Sequence, residues 1–557
     1  MRSLRKRATG PPRSHEPDRG ASRPDDLHSV RGRHGAQPVM RRDIAIIGAG
    51  FAGSLLARLL ALRGRDVLLL ERDRHPRFSL GESSTPLAAL TLERLSRRYQ
   101  QPDLHSLAAH GRWCRDLSGL RCGLKRGFTF YRHRPDAFAV TADARLLVAA
   151  SPDDEVADCQ WLRADVDAHL VARARAAGVD YRDRFEITSV EECRDGMRLH
   201  GREADQAIEI DAGFVVDASG SGEVLARALG VESTEAEFGF ASRLLYAHFD
   251  GVPPFAEMLA EADCDLTPGP YPDDWAAVHH LLDEGWMYVL RFDDGLVSAG
   301  VLIDESQPGP AAGDADARWQ VLMNRYPVLA ATFASANPVA PGIRATGRLQ
   351  RWRRRAAGAR WAMLPQTFAF FDPLFSTGIA WNLLGVERLA GFLEEGWPSL
   401  DQLNQYAVLL QAEASQQRAL LEAAYLARHD FSVFRDLSFL YFACVSFEEI
   451  RQRLLGDVGT PAAWRGFLGA RDPFWTTLFL QAPGRVRIAM VGGETAAKDP
   501  FATWLARAIR PRNLVGLGES PAQLYGIDLD VLIARSGLLG MTRDEMRVLL
   551  PRLRGDN

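Results

Sequence analysis

Residues 43–71 read DIAIIGAGFAGSLLARLLALRGRDVLLLE, and the order of the parts predicts a dinucleotide-binding α/β unit. Asp43 to Ile47 is a short apolar run rich in β-branched residues, long enough for a buried parallel strand. It leads into Gly48-Ala49-Gly50-Phe51-Ala52-Gly53, then a helical pattern to Gly64, then a second apolar strand from Asp66 to Leu70 that closes on Glu71. Gly48 suits the tight turn, Gly50 lets a pyrophosphate approach the backbone, and Gly53 lets helix and strand pack closely. The helix start at Phe51 and Ala52 offers unpaired N–H groups and a positive dipole end to that phosphate. Glu71, followed by Arg72, falls where a carboxylate accepts hydrogen bonds from a ribose. A lone glycine triplet is weak evidence; strand, glycines, helix, strand and acid in this order are much stronger. Glu71 says little about which dinucleotide is bound.

Composition narrows the classes. A hydrophobic fraction of 46% and a charged fraction of 25% over 557 residues suit a soluble globular chain with a sizeable core. A net charge of -4 gives no bulk attraction to nucleic acid or an anionic membrane. The six cysteines, Cys114, Cys122, Cys159, Cys193, Cys264 and Cys444, read as scattered, with no C-x-x-C pair and no metal-ligand spacing. That pattern points to reduced thiols, a cytoplasmic location and no metal site. No apolar run approaches the roughly 18 residues that suggest a membrane span. Leu437 to Val445 reads as a buried helix. Residues 1–39 are rich in Arg, Pro, Gly, Ser and His, so they are expected to be a disordered or misassigned N-terminal extension, with Met40 the true start.

Two later segments turn the reading toward FAD. Phe214 to Gly220 (FVVDASG) predicts a strand ending in a small-residue turn, and resembles the second flavin motif of FAD monooxygenase-type folds, with Asp217, Ala218 and Gly220 at the cofactor. Gln160 to Leu170 (QWLRADVDAHL) resembles the helix before it, where Arg163 takes the place of an arginine lying along the cofactor.

Three further stretches resemble the flavin-dependent halogenases of the tryptophan halogenase superfamily. The first is His75 to Pro86 (HPRFSLGESSTP), similar to the segment that wraps the isoalloxazine end of FAD and containing Ser83. The second is Gly123 to Phe130 (GLKRGFTF), similar to the strand that carries the essential lysine, which makes Lys125 the catalytic residue by that match. The third is Phe370 to Gly378 (FFDPLFSTG), similar to the family's F-x-x-P-x-x-S-x-G signature. There the resemblance implies cofactor contacts at Asp372, Gly378 and Ile379, with halide held by the backbone N–H groups of Thr377 and Gly378. Ser and Thr also suit a helix N-cap at this position. The phenol or phloroglucinol branch matches best, through Leu364-Pro365-Gln366 and the lysine strand. Tryptophan halogenases carry a Glu at the position of Phe375, so the resemblance does not imply free tryptophan as the substrate.

One segment departs from the family. The W-x-W-x-I-P strand is replaced by Trp286-Met287-Tyr288-Val289-Leu290-Arg291, which with Asp293-Asp294-Gly295 and the run after it still predicts a β-hairpin. Trp286, Tyr288 and Phe375 are candidates for the substrate pocket. Arg291 points either to an anionic group beside the flavin or to solvent.

The fold class expected is α/β: an FAD-binding Rossmann-like module of monooxygenase/halogenase type with a mixed substrate-side sheet and an α-helical C-terminal region. The module is expected over 40–385, its substrate-side sheet over about 235–345 with an irregular insertion from Pro253 to Asp274, and the helical region over 386–557. The resemblance implies an FADH2- and O2-dependent halogenase. It would place chlorine or bromine on an electron-rich, phenol-like substrate, free or carrier-bound, through hypohalous acid relayed by Lys125. A separate flavin reductase would supply the reduced FAD. The alternatives are an FAD-dependent aromatic or polyene hydroxylase, and an inactive flavoprotein partner.

Overall fold

The computed structural model describes residues 39–554 except 136, 139, 205, 235–237, 262, 263, 265, 308–312, 457–460, 492–497 and 520–522. The expected N-terminal extension therefore lies outside the described residues, save for Val39. The opening strand, Met40–Ile47, lies at the centre of a parallel sheet. Its neighbours are Gln206–Asp217 on one side and Val67–Leu70 on the other; Trp361–Met363 and Asp180–Arg182 extend the sheet outward. Ile44 to Ile47 and Val67 to Leu70 are buried, as continuous apolar runs in a covered parallel sheet should be. The helix Phe51–Ala61 follows Gly50 directly and buries all but its last residue.

A second, nine-stranded sheet includes the strands expected to form the substrate side. The expected hairpin is present as Gly285–Arg291 paired antiparallel with Val297–Asp304. The sheet is not confined to residues 235–345. Gly127–Arg132 and Arg145–Ala149 join it, the former in parallel with Ala277–Leu281, and Phe128, Phe130, Leu146 and Val148 pack into the same core as Ala277 and Leu281. The insertion from Pro253 is also more regular than its composition suggests, with a helix at Phe255–Glu261 whose first two amides donate to the Asp274 carboxylate.

Two other elements differ from expectation. The lysine stretch is not one strand: Cys122–Lys125 pairs antiparallel with Asp158–Trp161 in a sheet of its own, and a new strand starts at Gly127. Since Asp158 to Trp161 is consumed by that pairing, the helix expected from Gln160 begins only at Arg163 and runs to Ala176.

The helical region is present as Gly378–Glu395, Leu400–Ala427 and Phe431–Leu455, followed by shorter helices. Leu437 to Cys444 is buried in the third of these. The first two are joined by Arg388 and Glu413, both fully buried, with guanidinium–carboxylate contacts of 2.6 and 3.0 Å. Removing one partner of such a pair costs about 3–5 kcal/mol, because the other charge is stranded. The helical layer therefore packs as part of the same unit, Val39–Asn557, rather than as a separate body.

Candidate active site

The three fingerprint glycines serve different ends. Gly48 has φ +101°, and a Cβ there would lie 2.6 Å from the Ala218 carbonyl oxygen. At Gly53 a Cβ would lie 2.0 Å from the Gly48 oxygen. Gly50 is different: the nearest protein atom to a Cβ there is Arg163 Nη2 at 3.5 Å, an ordinary contact. Packing therefore demands glycine at 48 and 53 but not at 50. The bare backbone at Gly50 instead faces a cleft of 1190 Å³ lined also by Gly48, Phe51, Ala52, Gly53, Glu71, Arg72, Ser83, Arg163, Ala218 and Gly220. A diphosphate lying over a helix start needs such a surface, so these residues fit a dinucleotide.

Glu71 is positioned by backbone donors: Ala49 N–H to Oε2 at 2.9 Å and Asp73 N–H to Oε1 at 3.0 Å. Arg163 clasps Asp167 through two 2.9 Å contacts and lies over the Phe51 ring at 4.7 Å. The Asp167 carboxylate also accepts the Phe51 N–H at 3.1 Å, which takes up the first amide of that helix. Asp217 departs from its expected role. It is fully buried, does not line the cleft, and spends its oxygens on the amides of Ser219 at 2.9 Å and Leu225 at 2.7 Å. It shapes the turn that presents Ala218 and Gly220.

At the other end of the cleft stand Asp372, Ser376, Thr377, Gly378 and Ile379. Ser376 has φ +51°, a left-handed conformation uncommon for a residue with a Cβ. That turn aims the chain into the helix Gly378–Glu395, with Thr377 in the capping position but making no side-chain cap bond. Among the described residues, the amides of Thr377 and Gly378 take no protein acceptor. They add to the positive end of the helix and form a surface suited to an anion. Asp372 accepts from Tyr425 Oη at 2.6 Å, Leu374 N at 3.0 Å and Trp286 Nε1 at 3.4 Å. Burial raises its pKa to about 7, against the pull of those donors.

Lys125 is fully buried. Its Nζ donates to the Ser84 carbonyl at 2.5 Å and sits 4.1 Å from the centroid of the Phe128 ring. Asp158, paired with it across the strands, is also buried. Burial pushes the lysine below its ordinary pKa and the aspartate above its own, while each charge opposes the other's shift. Lys125 does not itself line the cleft, whereas Ser83 does. The Ser376 hydroxyl donates to Ser83 Oγ at 3.1 Å. The lysine and the anion turn are therefore joined through the Ser83–Ser84 dipeptide.

On the hairpin strand, two-residue alternation places Trp286, Tyr288 and Leu290 in the cleft wall. Met287 and Val289 face the second core instead. Arg291 shares that far face, where it binds the carbonyls of Val252 at 3.0 Å and Pro253 at 2.9 Å. It meets neither of the two roles expected of it. Phe375 does not line the cleft. It packs 4.8 Å from the Tyr441 ring and 6.4 Å from Phe130, in an aromatic cluster that includes Phe128, Phe434 and Phe442. That cluster abuts Lys125 through Phe128.

Three features escaped the sequence reading. His279 lines the cleft and stacks on Phe130 at 4.8 Å; burial first, and the Lys125 charge second, lower its pKa to about 3, so it is a neutral imidazole. Adjacent histidines in an apolar strand were its signal, because alternation must send one of them to each face. His248 and Glu82 form a buried pair at 2.8 Å beside Phe78, without any local signal. Cysteines that read as scattered are also partly gathered: Cys114 and Cys122 meet His110 and Asp293. The last of these is 171 residues from Cys122, beyond the reach of a spacing rule.

The sequence pattern of FAD dependent oxidoreductases matches residues 43–351, more than half of the chain, and the chain belongs to this family. FAD is its cofactor, and the glycine turn, Glu71 and Arg163 line the cleft described above. Tetracycline 7-halogenase of Kitasatospora aureofaciens is 28% identical over 402 residues, covering 68% of this chain and 69% of that enzyme. Monodechloroaminopyrrolnitrin halogenase PrnC of Pseudomonas fluorescens is 26% identical over 365 residues, 63% of this chain and 61% of its own length. Among solved structures, halogenase PltM in complex with phloroglucinol and FAD superposes with a TM-score of 0.78 at 24% identity, covering 87% of this chain and 100% of that one. No helix among the described residues is long and apolar enough to cross a membrane.

Proposed function

We propose that this chain is a flavin-dependent halogenase that places chlorine or bromine on an electron-rich aromatic ring. The observation that carries the reading is the link between a fully buried lysine and an anion-suited turn, from Lys125 through Ser84 and Ser83 to Ser376. Reduced FAD, supplied by a separate flavin reductase, would provide the reducing equivalents with which oxygen and halide give hypohalous acid. The chain's own residues do the rest. The amides of Thr377 and Gly378 hold the halide at the positive helix end. Ser83 and Ser84 bridge that turn to Lys125. The lysine ammonium, kept from water by burial, hydrogen-bonds hypohalous acid and orients its halogen toward the substrate. Halogen then replaces a ring hydrogen, and water is the other product.

Two relatives are named as halogenases, of tetracycline and of monodechloroaminopyrrolnitrin, and the neighbouring solved structure holds phloroglucinol. Their chemistry agrees with an aromatic wall of Trp286, Tyr288 and His279 at the cleft end and the Phe130–Phe375 cluster next to it. Six unbridged cysteines agree with a cytoplasmic setting. The test supplies the purified chain with FAD, a flavin reductase, NADH, oxygen and either halide, and offers a panel of phenols, pyrroles and indoles. A halogen-dependent mass shift on a phenol is expected. A hydroxylated product formed whether or not halide is present would overturn the reading.

A further inference from the structure

We infer that His110, Cys114, Cys122 and Asp293 form a zinc site that ties three segments together at the foot of the strand carrying Lys125. One ligand atom from each residue lies within 4.8 Å of all the others. Individual separations are 2.8 Å for His110 Nε2 to Asp293 Oδ2, 3.5 Å for Cys114 Sγ to His110 Nε2, 3.6 Å for Cys122 Sγ to Asp293 Oδ2 and 4.0 Å for Cys114 Sγ to Asp293 Oδ2. A tetrahedral zinc ion, with bonds of about 2.0–2.3 Å, needs its ligand atoms roughly 3.3–3.8 Å apart. Opening the His110–Asp293 pair from 2.8 Å and closing the widest pair from no more than 4.8 Å, shifts of up to about 1 Å, would seat one.

The scaffold orients these groups independently of one another. His110 and Cys114 are four residues apart on the helix His110–Asp116 and so share a face. Cys122 opens the strand Cys122–Lys125, and Asp293 sits in the hairpin turn after Arg291. The Asp293 carboxylate is aimed by its other oxygen, which accepts the Leu124 N–H at 3.1 Å, while its own N–H donates to the Cys122 carbonyl at 2.9 Å. An outer partner that fixes a ligating carboxylate in this way is characteristic of metal sites. Two thiolates with an imidazole and a carboxylate favour zinc over the oxygen-seeking calcium and magnesium. Four protein ligands leave no open position, which makes the site structural. Its place is outside the cleft, since none of the four residues lines it. The inference does not depend on the reaction proposed above.

The test measures zinc by elemental analysis in full-length, tag-free holoprotein purified under reducing conditions, and records the spectrum after replacement by cobalt(II). About one zinc per chain is expected, with cobalt giving tetrahedral d–d bands to the red of the flavin absorption and a thiolate charge-transfer band. Cys114→Ala removes an exposed ligand, and Asp293→Asn keeps the acceptor for Leu124 while weakening the metal bond. Both should lose the stoichiometric metal and the cobalt bands while still binding FAD. Background zinc with no cobalt bands in the parent protein overturns the inference. So does a Cys114–Cys122 disulfide in that reduced preparation, or undiminished metal in both variants.

Discussion

Lys125 Nζ donates to the carbonyl of Ser84 at 2.5 Å, and Ser83, the residue before it, receives the Ser376 hydroxyl at 3.1 Å. A buried ammonium and the turn leading into a helix N-terminus are thus coupled through one dipeptide, although 251 residues separate Lys125 from Ser376 (376 less 125). The Ser84 carbonyl satisfies one ammonium proton, and the Phe128 ring face offers a second favourable contact at 4.1 Å. Without them, burial would favour the neutral amine more strongly still. The ammonium keeps further protons for another acceptor.

The glycines give a contrast that separates folding from cofactor binding. Gly53→Ala should destabilise severely, because its Cβ would sit 2.0 Å from a backbone oxygen. Gly50→Ala meets no protein atom closer than 3.5 Å, so thermal unfolding of the apoprotein should move little, within about 0.5 kcal/mol. Its FAD affinity should nevertheless fall at least about tenfold, equivalent to about 1.4 kcal/mol. Flavin fluorescence titration beside a thermal melt reads both.

Ser376 holds a left-handed backbone at φ +51°. Ser376→Gly should preserve the turn and match or exceed the parent in stability. Ser376→Val should cost about 1–3 kcal/mol, since a β-branched residue is poorly tolerated there. The same change should weaken chloride dependence of turnover by displacing the amides of Thr377 and Gly378. Denaturant unfolding and a halide titration measure the two effects.

Asp372 predicts a pH signature in the apoprotein. Burial raises its folded pKa to about 7 from an ordinary value near 3.8. The folded state therefore binds more protons than the unfolded state between those values, and the slope of stability against pH from this group is negative. Its stabilising contribution is present below the unfolded pKa and lost as pH rises through 7. Asp372→Asn should flatten that decline, so the variant gains on the parent between pH 4 and pH 7. Melting temperatures across that range would show the difference, and parallel curves would contradict it.

How much was legible in the sequence follows from the range of the interactions. The strand–glycine–helix–strand–acid run was readable because each part depends on neighbours a few residues away. The hairpin at Trp286 to Ile303 was readable by alternation, even though its motif had drifted. Lys125 was identified by motif, but its surroundings were not, since Ser84, Asp158 and His279 arrive from separate elements. The break at Arg126 was hidden for the same reason: its N–H donates to the Trp275 carbonyl at 2.6 Å, a contact no local pattern encodes. The resemblance puts Asp217 at the cofactor, whereas its carboxylate binds the amides of Ser219 and Leu225 in the turn behind it. Strand alternation leaves Arg291 between two roles, because it does not encode the carbonyls that hold the side chain on the far face.

The most direct measurement compares the parent protein with Lys125→Ala and Lys125→Arg in single-turnover reactions with reduced FAD, oxygen, chloride and a phenol. Halogenated product and oxygen consumed are quantified together. Lys125→Ala should lose product by about 10²–10⁴-fold while binding FAD and consuming oxygen as the parent does, and Lys125→Arg should recover little because the guanidinium is bulkier and planar. Equal yields of halogenated phenol from the parent and Lys125→Ala would contradict a relay at this lysine.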